Sequence, residues 1–328
     1  MSNDLPIFLL IAAFMGAVML LMPHLSPSRY FFAITVTPNF RSTAAGRASL
    51  RRYYAAVVCS VIITAVLIVR LGRGWPNLTL VLPLGPTILG GLAFLWERRQ
   101  VAAQAPPVYA IREAELSTED DHLPRWIALM LLPFAFPLAA AQWLRARWNE
   151  IPQRVPTHWD IHNQVDNWAD KSAHTVYGPV LYAGGMMLIM ILLTLAMFYG
   201  SRRGRQRTAV VKMMVATIYF LALLLSGVAL MPLMPNSSAL IWVPAVLFPV
   251  VLLVWVYKVM SDPEMPAETT PDECWYLGNF YVNAQDPAIF VQKRVGFGYT
   301  INMGNRLGWL IMVGFLAAIA ALIFVLPQ

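Results

Sequence analysis

Long apolar runs, broken by short polar segments, dominate the chain. Eight of them occur, at roughly 5–22, 54–71, 78–96, 126–143, 176–200, 211–231, 239–258 and 307–326. A helix needs about 20 mostly apolar residues to cross a hydrocarbon core. A membrane β-barrel would instead show segments of about ten residues with alternating polarity. The pattern therefore predicts an all-α polytopic membrane protein of about eight transmembrane helices, with a structured outer loop and a small β-hairpin-like cytoplasmic module. The expected organisation is a helical bundle over 1–258 containing the outer loop 144–175, a C-terminal cytoplasmic module over 259–306, and a last transmembrane helix over 307–328.

The run interiors narrow the chemistry. No Asp, Glu, Lys, Arg or His stands at mid-run; Arg70, Glu97 and Lys258 lie at ends, where long side chains can snorkel to water. Proton- and ion-coupled carriers usually need an ionisable group at mid-depth, so the pattern argues against a pump. Pro83, Pro86, Pro133, Pro137, Pro244 and Pro249 interrupt the third, fourth and seventh runs, which keeps open a passive path lined by broken helices. Small residues at helical spacing, Ala12 with Gly16 and Gly314 with Ala318, suit close helix packing. Tryptophans near the run ends fit an interfacial belt.

Composition agrees. Hydrophobic residues make up 58% of the 328 and charged residues 12%, against about 25% charged in a soluble domain. The net charge of +7 is distributed by loop. Alternate loops carry 18 basic residues against six on the other side. The positive-inside bias then places loops 23–53, 97–125, 201–212 and 258–306 in the cytoplasm and both termini outside. A basic surface split among loops is not a nucleic-acid footprint. Asp4 is the sole charge before the first run, so no basic leader region is present and a cleaved signal peptide is not expected. Cys59 and Cys274 are too far apart in sequence to suggest a disulfide framework or a zinc knuckle.

The most polar outer segment is Val155-Pro-Thr-His-Trp-Asp-Ile-His-Asn-Gln-Val-Asp-Asn-Trp168. Pro152 and Pro156 favour an extended approach. His158, Asp160 and His162 are spaced by two, which on an extended segment puts them on one face with donors suited to a divalent ion such as Zn²⁺. The competing reading is a turn in which Asp160 and Asn163 bond nearby backbone, while Trp159 and Trp168 pack the loop onto the membrane surface. No Ser or Cys nucleophile and no HExxH pattern accompanies the histidines, so no catalytic residue is assigned. The recognition set is Pro156, His158, Trp159, Asp160, His162, Asp166 and Trp168, and no resident cofactor is expected.

Two cytoplasmic segments stand out. Tyr30 to Pro38 is β-prone and is followed by Arg41, Arg47, Arg51 and Arg52, a basic stretch suited to anionic lipid. Later, β-prone runs flank Gly296 and Gly298 and predict a hairpin; Lys293 and Arg294 precede it and join the arginines as contacts for lipid or a partner.

Residues 151–171, IPQRVPTHWDIHNQVDNWADK, resemble the Pro–x–His–aromatic–Asp loop of the domain of unknown function 1648 family, to which SdpI-type immunity and signalling membrane proteins belong. Asn163-Gln164 stands where that loop usually has Asn-Gly. The segment YFFAITVTPNFR…LRRYY looks like the first cytoplasmic loop of longer members. NAQDPAIFVQKRVGFGYTIN is similar to the module of domain of unknown function 5808. The resemblance implies a multi-pass protein of the bacterial cytoplasmic membrane that protects against a secreted peptide and holds a regulator at the membrane. The leading expectation is therefore a non-enzymatic immunity or sensing protein with an extracellular peptide or envelope ligand and a cytoplasmic protein partner. The alternatives are a permease for an uncharged or zwitterionic molecule, an accessory subunit of a membrane complex, and a metal-dependent membrane enzyme.

Overall fold

The computed structural model describes residues 5–27, 29–37, 39–71, 78, 81–105, 122–159, 165–202, 205–234, 237, 239–260 and 270–325. Among them, seven helices are long and apolar enough to cross a membrane: Leu5–His24, Ala44–Leu71, Arg125–Ala146, Ala173–Gly200, Gln206–Leu230, Ala239–Met260 and Arg306–Phe324. This is a mainly helical, polytopic membrane fold. The chain divides into two compact units, one holding residues 1–115, 267–286 and 291–304, the other residues 116–266, 287–290 and 305–328.

The first unit is built on α1 (Leu5–Leu21), α2 (Ala44–Leu71) and α3 (Gly85–Gln104). Contacts fix their directions. Gly16 of α1 faces Val61, while Tyr53 near the start of α2 donates its hydroxyl to Met19 O at 2.8 Å. Gly85 at the start of α3 faces Thr64, and Arg52 reaches Glu97 near the end of α3. Thus α2 runs antiparallel to both neighbours. An added Cβ at Gly16 would stand 2.2 Å from Val61, and one at Gly85 2.4 Å from Thr64, so small residues permit the close approach.

One end of this unit is closed by hairpins. Strands β1 (Tyr30–Phe31) and β2 (Ile34–Thr35) pair antiparallel, with Phe31 opposite Ile34. The two turn residues, Phe32 and Ala33, have φ of 48° and 61°. Two-residue turns of this kind normally use Asn-Gly because both positions need positive φ. Here burial supplies what intrinsic preference lacks. Phe32 is 0% exposed, with its ring 5.3 Å from Tyr53 and 5.2 Å from Phe94. Phe31, Ile34, Val36, Phe40, Val57, Val101 and Val295 complete the core. Two more strand pairs lie in the C-terminal segment: β5 (Trp275–Tyr276) with β6 (Phe280–Tyr281), and β7 (Phe290–Gln292) with β8 (Tyr299–Ile301). Gly296 and Gly298 lie between β7 and β8 with φ of 79° and 108°, a region that glycine alone enters without a Cβ penalty.

The second unit contains α4 (Ala135–Ala146), entered through a 3-10 segment Arg125–Phe134, then α5 (Ala173–Gly200), α6 (Arg205–Leu230), α7 (Ala239–Met260) and α8 (Arg306–Val325). Strands β3 (Arg154–Trp159) and β4 (Val165–Asp170) form an antiparallel pair between α4 and α5. Ser172 caps α5, its Oγ accepting from Thr175 N at 3.0 Å. Losing a side-chain N-cap costs about 1 kcal/mol, so Ser172→Ala should lower thermal stability by about that amount, and Ser172→Asp should restore it. Thermal melts of the full chain in nanodiscs check this; equal melting of wild type and Ser172→Ala would remove the cap from the account.

Several expectations need correction. The second apolar run was placed at 54–71, but α2 starts at Ala44 and takes Arg47, Arg51 and Arg52 onto its first turns. The third run, expected at 78–96, is 3-10 over Leu82–Leu84 and α-helical over Gly85–Gln104, so its helix passes the expected end. Glu97 does not snorkel: it is 2% exposed and bonded bidentately to Arg52, at 2.8 and 2.7 Å. Pro83 sits in a 3-10 turn and Pro86 in the first turn of α3, where a missing N–H costs little, whereas Pro133 lies inside the 3-10 segment and Pro137 follows it in α4. Pro244 and Pro249 lie inside α7. Gly314 faces open space rather than a packed neighbour among the described residues.

Candidate functional site

Two polar constellations are assembled, one in each unit. The outer-loop sequence forms the β3–β4 hairpin, in which Val155 pairs with Ala169, Pro156 with Trp168 and His158 with Asn167, with irregular register on either side of His158. Its base is fixed from below. Val155 is buried with Leu144, Ile151, Val176 and Ala229. Lys171 donates from Nζ to Trp148 O at 2.6 Å and Ile151 O at 3.0 Å, and its ammonium lies 4.9 Å from the Trp148 ring centre. Trp148 stacks in turn on Tyr177, at 5.9 Å.

Above this base the hairpin is open. His158 Nδ1 and Asp166 Oδ1 stand 2.5 Å apart, and both side chains are largely exposed. Trp168 is 46% exposed, and Pro156 is half-buried. Asp160 and His162 lie outside the described residues, as does the side chain of Trp159. The recognition residues that are described therefore share one hairpin, and His158 has a carboxylate partner eight residues away in sequence. That pairing crosses the hairpin, so spacing by two along one strand could not reveal it. Lys171 was also missed; its signal was a lone lysine just before a helix cap in a charge-poor chain. Lys171→Met should cost about 1–3 kcal/mol, because two carbonyls lose a charged donor. Faster protease cleavage within 150–171 would register the loss, and unchanged cleavage would show that the lysine does not hold the base.

The second constellation is a buried arginine knot. Arg294 is 1% exposed. Its guanidinium lies 4.9 Å from the Tyr30 ring centre and 5.1 Å from that of Trp275. It donates to Ala33 O at 3.0 Å, to the Asp272 carboxylate and to Thr270 O. Asp272 accepts in addition from Thr35 Oγ1 at 2.8 Å. Arg98 reaches the same turn from α3, donating to Ala33 O at 2.7 Å and Trp275 O at 2.9 Å. Two arginines thus converge on the carbonyl of a residue held at positive φ.

Beside the knot, Tyr281 donates its hydroxyl to Asp286 at 2.9 Å, and burial pushes the Tyr281 phenol pKa well up. Asn302, wholly buried, donates to Asn283 O and Asp286 O and accepts from the backbone N–H groups of Asn283 and Gly304. An added Cβ at Gly304 would stand 2.5 Å from Ala284 N.

Two residues expected to contact lipid or a partner therefore have other roles. Arg294 is interior. Arg41 is half-buried, donating to Ser26 O, Pro27 O and Tyr30 O, and burial lowers its guanidinium pKa. Arg47 and Arg51 are exposed, and Lys293 is half-buried. Burial and then Glu273 raise the Cys274 thiol pKa. Among the described residues, no group of three or more His, Cys, Asp or Glu is placed to hold a metal.

Two family models match parts of the chain. The family model described as Domain of unknown function (DUF1648) matches residues 138–182, which span the end of α4, the β3–β4 hairpin and the start of α5. The model described as Family of unknown function (DUF5808) matches residues 284–309, which include Asp286, Arg294 and Asn302. No curated protein matches the chain, and no solved structure does.

Proposed function

We propose that the chain is a non-enzymatic membrane protein of the SdpI-like immunity and sensing kind, set in a bacterial cytoplasmic membrane. Its β3–β4 hairpin recognises an extracellular peptide or envelope component, and its cytoplasmic end engages a protein partner. The observation that carries this reading is the contrast within the hairpin. Its base is immobilised by Lys171 and the Val155 cluster, while His158, Asp166 and Trp168 are left open above it. A rigid base under an exposed aromatic and an exposed acidic group is a recognition arrangement.

Eight spans fit this reading better than seven. The start of α2 meets both the end of α1 and the end of α3, so α3 returns to the side from which α2 departed. Its apolar part, Gly85–Trp96, extends about 18 Å and is preceded by the 3-10 turn Leu82–Leu84. The β1–β2 turn, the end of α3, Trp275 and Arg294 then share one end of the first unit. These are the loops that the charge bias assigns to the cytoplasm, and the same bias assigns loop 144–175 to the outer side.

The test is a strain lacking the chain, challenged with membrane-active peptides and complemented with wild type or with Asp166→Ala/Trp168→Ala. The reading expects hypersensitivity to at least one peptide and no rescue by the double variant at equal membrane abundance. Rescue equal to wild type would remove the hairpin from recognition.

A further inference from the structure

The β5–β6 hairpin presents apolar side chains outside any membrane-spanning helix. Trp275 and Tyr281 turn inward, but Tyr276, Leu277, Phe280 and Val282 are exposed, Leu277 at 58% and Tyr276 at 57%. Tyr276 and Phe280 are opposite one another in register, so they flank Leu277 at the turn. Leu277 also has φ of 51°. A leucine in the left-handed region is strained, and this side chain is more than half exposed.

The depth of the turn can be placed along α3. Gly278 packs on that helix; an added Cβ there would lie 3.4 Å from the Phe94 ring and 3.8 Å from Arg98 Cδ. The exposed side chains of α3 are apolar through Ile88, Leu89, Leu92 and Trp96. Arg99, three residues on, is exposed and charged. With α3 crossing the bilayer, the hydrocarbon boundary falls within the about 5 Å of axis between Trp96 and Arg99. The hairpin turn is seated on the same stretch.

We propose that the β5–β6 hairpin is an interfacial membrane anchor, with Tyr276, Leu277 and Phe280 in the boundary between headgroups and acyl chains and the lipid surface as their partner. Apolar and aromatic side chains at that level gain by insertion about 5–10 Å into the boundary. The anchor ties the 270–304 segment to the bilayer beside the arginine knot. This inference rests on α3 being a span, as proposed above.

Single cysteines at Leu277, Leu92 and Gln104, made in a Cys59→Ala/Cys274→Ala background of the full chain, carry an environment-sensitive fluorophore in nanodiscs. The nanodiscs contain lipid spin-labelled at a shallow acyl position. Leu92 and Gln104 are both exposed on α3, and their separation of 12 residues, about 18 Å along the axis, provides a depth ruler. The expected result is that the label at Leu277 is quenched like that at Leu92, roughly twofold or more above that at Gln104. Quenching at Leu277 no greater than at Gln104, with Leu92 strongly quenched, would overturn the anchor alone and leave the face to a protein partner. Weak quenching at both Leu92 and Leu277 would overturn the α3 span and the anchor together.

Discussion

Arg294→Met should destabilise the first unit by about 3 kcal/mol. The lost cation bridges the β1–β2 turn, Asp272 and Thr270 at once. Breaking a buried pair from one side typically costs 3–5 kcal/mol. The lower end applies because the Asp272 carboxylate is 37% exposed, and water can partly replace its partner. Arg294→Lys should recover little, since a compact ammonium cannot span acceptors spread across the guanidinium fork and also fill the gap between Tyr30 and Trp275. Thermal melts in nanodiscs, together with the rate of protease cleavage in 270–304, report both effects. Wild-type stability in the methionine variant would mean that the knot is incidental to the fold.

Phe32→Ala should cost a similar or larger amount, about 3–5 kcal/mol for an aromatic side chain removed from a packed core. Its ring contacts Tyr53 and Phe94 on two helices, and its own backbone is strained. The neighbouring Ala33→Gly tests the strain separately. Ala33 has φ of 61°, so glycine should be neutral or stabilising by up to about 1 kcal/mol. Chemical denaturation of the pair of variants separates the two contributions. Equal losses for both would show that packing around Ala33, rather than backbone strain, dominates the turn.

The membrane class was legible because hydrocarbon imposes a length and a composition on every span. Span boundaries were less so. Apolar runs mark where lipid begins, whereas helices continue into the headgroup region: α2 has 28 residues, about 42 Å, and its first turns carry Arg47, Arg51 and Arg52. The β3–β4 hairpin was visible as a polar island, but its His158–Asp166 contact depends on a register that two irregularities set. Arg294 illustrates the deeper difficulty. In sequence, Lys293 and Arg294 are equivalent surface charges. In three dimensions one of them is among the most buried side chains of the protein, because Asp272, Ala33 and Thr270 converge from distant segments. Nothing local encodes that convergence. The β1–β2 turn was equally opaque, since Phe-Ala is a poor turn pair by local preference and is held there by tertiary packing.

The charge bias assigns loop 144–175 to the outer side of the membrane and loop 97–125 to the cytoplasm. An impermeant thiol reagent applied to intact cells tests it directly, using Trp168→Cys and Gln104→Cys in the Cys59→Ala/Cys274→Ala background. Both positions are exposed to solvent in the fold. The expected result is labelling at 168 in intact cells and labelling at 104 only after the membrane is permeabilised. Labelling of both positions in intact cells, or of 104 alone, would contradict it.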